Sequence, residues 1–355
     1  MEYNTRENSK IEKKNNLIYK TIYLTQSSWI YKEIFRQYRA FKTIENKSDY
    51  LIQLKKINLI QNNNKSEVCF IFNDEGIDLY SLINSEVYDY REQSNLIKWI
   101  LFQILKGLET LHSLNIIHRN INPKNIVISK TGGIKIIGFG QSINDIESKF
   151  VEDKIIGDIN YMAPEILIRQ NYNNKIDIFA VGILMLELYY KKVNILNSNN
   201  DNPNDNYSKR FFKQIKFICD YFKIPFNLSF DDDDNKQKEN FVSWVVNTNL
   251  DNCKFEQILN DIPDLGQSGL ELLKRLLELN PKKRISAKEA LKIEYFSEFQ
   301  NLNKDEYSKK DKRKNNNENL SPFLKNLEKE FQRINKLEHN KKTDLFLKEI
   351  INITH

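Results

Sequence analysis

Residues 111–128 read LHSLNIIHRNINPKNIVI, and this stretch decides the fold. A polar loop from His118 to Asn125 lies between two apolar runs rich in Ile and Val. The preceding segment begins at Ser94 and repeats apolar residues at helical spacing, which predicts a long amphipathic helix with Ser94 as its cap. A second short motif, Gly138-Phe139-Gly140, follows the loop. The sequence therefore predicts a helix that leads into a polar loop, followed by a glycine turn.

The loop and the glycine turn resemble two motifs of the protein kinases. In that family the catalytic loop reads H-R-D-L-K-P-x-N and the metal-binding turn reads D-F-G. In this chain Asn120 replaces the general-base Asp, Asn122 replaces the Lys, and Gly138 replaces the metal-ligand Asp. An amide can orient a hydroxyl but cannot accept its proton at neutral pH, and Gly138 supplies no metal ligand. The resemblance thus implies a kinase scaffold whose catalytic positions are degenerate.

Further motifs extend the resemblance over the larger part of the chain. Ala163-Pro164-Glu165 resembles the A-P-E element, and the family pairs this Glu with an Arg that corresponds to Arg284. The resemblance implies structural roles for a set of retained residues: His118, Arg119, Phe139, Gly140, Glu165, Asp177, Gly182 and Arg284. The implied fold is α+β and bilobal, with a small β-rich N-lobe and a larger α-helical C-lobe. The C-lobe also shows a weaker similarity to the cyclin-dependent and casein-kinase-like branch.

The composition along the chain predicts its division into segments. The predicted segments are a disordered N-terminus (1–16), an N-lobe (17–75), a C-lobe (76–298) with a polar insertion at about 191–262, a charged linker (299–320) and an amphipathic helical tail (321–355). One N-lobe helix is expected between Asp49 and Ile60 because apolar residues recur there at helical spacing. The tail could dock on its own domain or bind a partner groove.

The phosphate-binding lysine is assigned by a short similarity. Arg39-Ala40-Phe41-Lys42 resembles the V-A-I-K strand of kinases, which makes Lys42 the candidate lysine. The same alignment puts Lys47, a like charge, at the position of its glutamate partner, with Glu45 and Asp49 as alternatives. Lys42 could equally be an ordinary strand lysine.

The nucleotide site is predicted to be vestigial. The alignment puts Tyr23, Thr25 and Ser28 where the glycines of the phosphate-covering loop belong, and side chains there block the close approach of backbone amides. Lys42 and Asn125 would then be its only remnants, and Asn125 alone is a poor host for Mg²⁺. The sequence therefore predicts no bound ATP, no Mg²⁺ and no other metal site.

Asp158 replaces a threonine that the family uses to contact the catalytic loop. Three roles are open for it: an ion pair with Arg119, plain solvation, or a substitute catalytic base. Asp145 is a second carboxylate that could serve an atypical mechanism.

The overall composition fits a globular protein of 355 residues with 40% hydrophobic and 29% charged residues. The three cysteines are widely spaced and match no metal or disulfide pattern, which predicts a reducing, cytoplasmic location. The net charge of +6 is modest, and the basic cluster at 309–314 lacks interleaved aromatic residues, so nucleic acid is not an expected partner. No apolar run is long enough to predict a membrane partner.

These observations favour a catalytically inactive pseudokinase, not an enzyme, that acts as a scaffold or allosteric partner. Its protein partners would bind the C-lobe surface and the tail. One alternative hypothesis is an atypical active Ser/Thr kinase that transfers phosphate from ATP. Another is a structural component of a cytoskeletal or axonemal assembly.

Overall fold

The computed structural model of the chain describes residues 2–6, 9–24, 28–62, 65–85, 94–129, 132–144, 157–167, 171–195 and 261–300. The chain divides into two compact units. Among the described residues, the first unit comprises those up to Thr43 together with Gln53–Asp74, and the second comprises Ile44–Ile52 and those from Glu75 onwards. Within the described ranges, no helix has the length and apolar character needed to cross a membrane.

The first unit contains one antiparallel sheet with the strand order β1-β2-β3-β5-β4. Its strands are β1 (Glu2–Arg6), β2 (Ser9–Lys14), β3 (Leu17–Tyr23), β4 (Leu54–Asn62) and β5 (Lys65–Asn73). The run from Val68 to Phe72 in β5 is buried throughout, as expected for a continuous apolar strand. Asn15 and Asn16 connect β2 to β3 with φ values of 53° and 59°. This two-residue hairpin requires positive φ at both positions, which Asn tolerates well.

Helix α1 (Ser28–Ile44) lies between β3 and β4 in the chain. Its apolar face packs on the sheet through Phe41, whose ring centroid lies 6.0 Å from that of Phe70 and 5.2 Å from that of Phe72. The buried positions recur at helical spacing: Ile30, Ile34, Phe35, Gln37, Tyr38, Ala40, Phe41 and Ile44. The buried face is thus set by the usual period of an amphipathic helix.

The second unit is mostly helical. Its helices are α2 (Leu79–Ile83), α3 (Ser94–Ser113), α4 (Pro164–Leu167), α5 (Lys175–Tyr190), α6 (Gly266–Leu276), α7 (Ala287–Ala290) and α8 (Ser297–Gln300). Helix α5 is buried from Ile176 to Tyr189, so it forms the centre of this core. A Cβ at Gly182 would lie only 2.6 Å from Cδ2 of Leu277, so glycine permits the close packing of α5 on the end of α6.

Short strands hold the polar loop of the second unit in place. Strand β7 (Ile116–Ile117) pairs with β10 (Ile143–Asn144) on one side of the loop. On the other side, β8 (Ile126–Ile128) lies between β6 (Ile77–Asp78) and β9 (Ile134–Ile136). Because the loop 118–125 connects β7 directly to β8, both of its ends are fixed by strand pairing.

The predicted α+β class is confirmed, with a smaller β-rich unit and a larger helical unit. The predicted disorder of residues 1–16 is wrong, because β1 and β2 extend the sheet by backbone pairing with β3 despite their polar sequence. The helix predicted between Asp49 and Ile60 is also wrong, since β4 occupies most of that segment. Most of the predicted insertion at about 191–262, most of the predicted linker at 299–320 and the whole predicted tail at 321–355 lie outside the described residues.

Candidate functional site

Asp177 on α5 anchors the polar loop. Its carboxylate accepts hydrogen bonds from the backbone N–H groups of His118 (2.9 Å) and Arg119 (2.8 Å), and its Oδ2 lies 3.0 Å from Nε2 of His112. Burial opposes the ionised form, but the hydrogen bonds and electrostatic interactions with His112 and His118 outweigh it and hold the pKa of Asp177 below its usual value. Arg119 has a φ of 64°, a conformation that these bonds maintain.

His118 and Phe139 join the loop to the glycine turn. Their ring centroids lie 5.0 Å apart in an edge-to-face arrangement, and both residues are fully buried. His118 Nε2 donates to the carbonyl of Ile137 at 2.8 Å, and its Nδ1 accepts from the N–H of Asn120 at 3.3 Å. Burial lowers the pKa of His118, so the neutral ring serves as a packing element. These contacts agree with the structural roles expected for both residues.

Three asparagines form the polar part of the loop. Asn122 Nδ2 donates to Oδ1 of Asn120 at 3.0 Å, and Asn125 Nδ2 donates to the carbonyl of Asn120 at 2.8 Å. Asn122 Oδ1 caps the 3₁₀ turn Pro123–Asn125 by accepting from the N–H of Lys124. The amide of Asn120 is therefore held with one lone pair of its oxygen already used.

Gly138 lies directly against Asn125. It has a φ of 87° and a ψ of 38°, so glycine avoids the strain that a side chain would introduce. A Cβ at this position would overlap the side-chain oxygen of Asn125. Because Asn125 Nδ2 is bound to the carbonyl of Asn120, its oxygen faces the space that a residue-138 side chain would enter. The following Gly140 is buried.

The predicted ion pair between Glu165 and Arg284 is present and buried. Arg284 Nη1 lies 2.6 Å from Glu165 Oε1, and Nη2 lies 3.0 Å from Oε2. The guanidinium also donates to the carbonyls of Glu278, Lys175 and Leu279. The two charges are thus compensated by a bidentate contact and additional backbone acceptors.

Arg119 does not pair with Asp158. Its Nε donates to the carbonyl of Gln141 at 2.5 Å and its Nη1 to the hydroxyl of Tyr172 at 2.9 Å. Asp158 instead accepts from the N–H of Asn160 at 3.1 Å, which caps the 3₁₀ turn Ile159–Tyr161. Asp145, the second carboxylate considered from the sequence, lies outside the described residues.

The same turn places Tyr161 against a buried acid. Its hydroxyl lies 2.9 Å and 2.8 Å from the two carboxylate oxygens of Glu187 on α5. Burial raises the pKa of Glu187 to about 7, against the opposing effect of the Tyr161 hydrogen bond, and the charge of Asp158 raises it further. No motif in the sequence marks this pair.

Lys42 does not lie on a strand. It occupies the last turn of α1, is exposed, and has its Nζ 5.8 Å from the ring centroid of Tyr38. Its assignment as the phosphate lysine rested on a strand at 39–42, and the structure contains a helix there. Lys47, Glu45 and Asp49 follow this helix. None of them therefore lies on a helix, where the glutamate partner of the phosphate lysine was expected.

A different lysine holds the expected position. Lys20 lies on β3, and its Nζ is 3.6 Å from Oε1 of Glu33 on α1 and 2.9 Å from Oε1 of Gln37. Gln37 Nε2 also donates to Glu33 Oε1 at 3.3 Å. A strand β3 lysine paired with a helix glutamate is the arrangement that protein kinases use to hold nucleotide phosphates. The alternation of Leu17–Tyr23 and the helical period of α1 were the signals that could have located it.

Comparisons with known proteins agree with this arrangement. The protein kinase domain family model matches residues 6–296. The chain is 26% identical over 265 residues to mitogen-activated protein kinase 13 of Arabidopsis thaliana, covering 72% of this chain and 66% of that protein. It is 30% identical over 257 residues to cyclin-dependent kinase 11 of Dictyostelium discoideum, with coverages of 72% and 66%. The chain thus spans just under two-thirds of the length of these relatives.

Two predictions from the sequence are wrong. These relatives are named as kinases, which contradicts the prediction that the chain is not an enzyme. Protein kinases use ATP with Mg²⁺, so the prediction that neither is bound is contradicted as well. The prediction of inactivity rested on Asn120, Asn122 and Gly138 in the second unit, and the prediction of an empty nucleotide site rested in part on the like charges of Lys42 and Lys47. The structure instead pairs Lys20 with Glu33.

The family predicted from the motifs is confirmed, as is its similarity to the cyclin-dependent branch. With the family match extending over most of its length, the chain belongs to the protein kinase domain family.

Proposed function

We propose that the chain is an atypical protein kinase that transfers phosphate from ATP to the hydroxyl groups of Ser or Thr side chains in proteins. The observation that carries this proposal is the contact of Lys20 with Glu33 and Gln37. Phosphoryl transfer requires the lysine on β3 and the glutamate of the helix to be in place together.

The catalytic loop supports the same proposal through its fixed geometry. Most of the catalysis in phosphoryl transfer comes from positioning and charge stabilisation, with little covalent chemistry for the protein to perform. Asp177 fixes the backbone of the loop, and Asn122 fixes the amide of Asn120. The second lone pair of Asn120 Oδ1 can accept a hydrogen bond from a substrate hydroxyl and orient it. The loop therefore retains the positioning role of its family.

Mg²⁺ has one suitable protein ligand among the described residues of the loop, the side-chain oxygen of Asn125. An amide oxygen is a hard donor, and Mg²⁺ in kinases is bound through few protein ligands together with water and substrate phosphates. The oxygen faces Gly138, where the family places its carboxylate ligand. When bound, the ion would neutralise charge on the phosphates. Because Gly138 supplies no carboxylate, we expect weaker metal affinity than in kinases that retain the D-F-G aspartate.

The proposal is tested by incubating the full chain with γ-labelled ATP, Mg²⁺ and a peptide library that contains Ser and Thr acceptors. Lys20→Met should abolish incorporation of label, because the phosphates lose their lysine. Lys42→Met is the matched control, since it removes an exposed lysine from the same unit and should leave incorporation unchanged. Equal incorporation by the wild type and Lys20→Met would overturn the proposal and indicate a contaminating kinase.

A further inference from the structure

Asp158 occupies a well-defined position in the second unit. It directly follows Gly157, whose φ of 119° turns the chain, and it caps the 3₁₀ turn Ile159–Tyr161 through one carboxylate oxygen. A Cβ at Gly157 would lie 2.7 Å from the carbonyl oxygen of Arg119, so this segment runs directly against the polar loop. The carboxylate of Asp158 is therefore held close to the loop by the backbone on both sides.

Asp158 and Asn120 line the same small, open cavity. Arg119 also lines it, is 4% exposed, and has an Nη2 with no hydrogen-bond partner among the described residues. That nitrogen is shielded from solvent, so the cavity offers a polar substrate atom an orienting amide from Asn120 and a carboxylate from Asp158.

The carboxylate of Asp158 is not neutralised by a neighbour. Arg119, which lines the same cavity, is bound to Gln141 and Tyr172, and Asp177 is bound to the loop backbone. In the described part of the chain, no Lys, Arg or His forms an ion pair with Asp158, and only one of its two oxygens accepts the capping bond. The other oxygen remains available as an acceptor.

We propose that Asp158 is the general base of the reaction, in place of the aspartate that Asn120 has replaced; this inference rests on the proposed kinase function. Asn120 orients the substrate hydroxyl, and Asp158 accepts its proton. The hydroxyl oxygen forms a bond to the γ-phosphorus of ATP, and the bond between that phosphorus and the bridging oxygen breaks. The electron pair of the broken bond stays with ADP, and the proton passes from Asp158 to water after the product leaves.

The test compares the single-turnover rate of transfer for the full-length wild type and Asp158→Asn. Asn retains the side-chain oxygen that caps the turn, so the variant removes the base but keeps the local structure. We expect the rate to fall by roughly 10²–10⁴-fold, the usual contribution of general-base catalysis. Asp264→Asn, an exposed change in the same unit, is the control and should retain the wild-type rate.

Two further measurements separate a base from a merely structural residue. The rate of the wild type should fall at acidic pH, and Asp158→Asn should lose this dependence. Adding Asn120→Asp to Asp158→Asn should restore most of the rate, because it supplies a carboxylate at the neighbouring position in the cavity. An unchanged rate and pH profile in Asp158→Asn would overturn the inference and leave the kinase function standing. A wild type that transfers no phosphate would overturn both.

Discussion

The amino group of Lys20 on β3 lies 3.6 Å from the carboxylate of Glu33 on α1. Both side chains are largely shielded, with exposures of 20% and 15%. The pair joins the sheet to the helix within the first unit, and Gln37 contacts both of its members. In kinases this contact aligns the lysine for the phosphates, so its presence here supports the proposed use of ATP.

Nucleotide binding should depend on this pair. Addition of ATP and Mg²⁺ at about a hundred times the dissociation constant should stabilise the wild type by about 2.7 kcal/mol, a rise in Tm of a few degrees. Glu33→Gln should reduce the shift because Lys20 loses its charged partner, and Lys20→Met should abolish it. Thermal melting with and without nucleotide measures both effects. A shift of equal size in Lys20→Met would show that the nucleotide binds without this lysine.

The buried ion pair between Glu165 and Arg284 should dominate the stability of the second unit. Glu165→Gln leaves the guanidinium uncompensated, and we expect a loss of about 3–5 kcal/mol in the free energy of unfolding by urea. Glu271→Gln is the control, because Glu271 and Arg275 form an exposed pair at 2.6 Å that should contribute below about 1 kcal/mol. Similar losses of unfolding free energy in the two variants would show that burial does not make the Glu165–Arg284 pair more important than the exposed one.

The sequence predicted the contacts of the second unit better than those of the first. The contacts of Asp177, His118, Phe139, Glu165 and Arg284 could be predicted because contiguous motifs mark each residue and its spacing from the loop. Lys20 and Glu33 could not be found in this way. The first unit lacks the glycines that mark the phosphate-covering loop of kinases, so a four-residue similarity at 39–42 determined the alignment. That alignment assigned the phosphate lysine to α1, one element after β3.

The misplaced helix has a physical explanation. Leu51, Leu54 and Ile57 recur every three residues, but such a short run does not distinguish a helix from a strand with a bulge, and β4 does shift its register between Leu54 and Lys56. Helix α1 has a longer periodic pattern, from Ile30 to Ile44. A comparison of pattern lengths would have favoured the helix at 28–44 and placed Glu33 on it.

Glu187 should make the stability of the protein depend on pH. Burial raises its pKa from 4.5 to about 7, so between these values the folded protein binds more protons than the unfolded chain. The free energy of unfolding should therefore fall as the pH rises from about 4.5 to about 7 and change little above that range. The contribution is on the order of 3 kcal/mol, since one pKa unit corresponds to about 1.4 kcal/mol.

Urea unfolding at pH 5 and pH 8 measures this dependence. Glu187→Gln should lose the difference in stability that the raised pKa produces, while Glu271→Gln, an exposed change, should retain it. If Glu187→Gln showed the same difference as the wild type, the titrating group would have to be another residue.

The contact of Gly138 with Asn125 should appear as energetic coupling. Gly138→Ala places a side chain in a left-handed conformation, at a cost of about 1–2 kcal/mol, and also displaces the oxygen of Asn125. In an Asn125→Ala background only the conformational cost should remain. A double-mutant cycle by urea unfolding should give a coupling of at least about 0.5 kcal/mol. Additive losses would contradict the close approach of the two residues.

The proposed phosphoryl transfer is tested most directly by the rate at which the full chain transfers the γ-phosphate of labelled ATP to Ser and Thr peptides. Wild type, Lys20→Met and Lys42→Met should be purified in parallel. We predict transfer by the wild type and by Lys42→Met, and none by Lys20→Met. Absence of transfer by the wild type, or equal transfer by all three proteins, would contradict the proposed function.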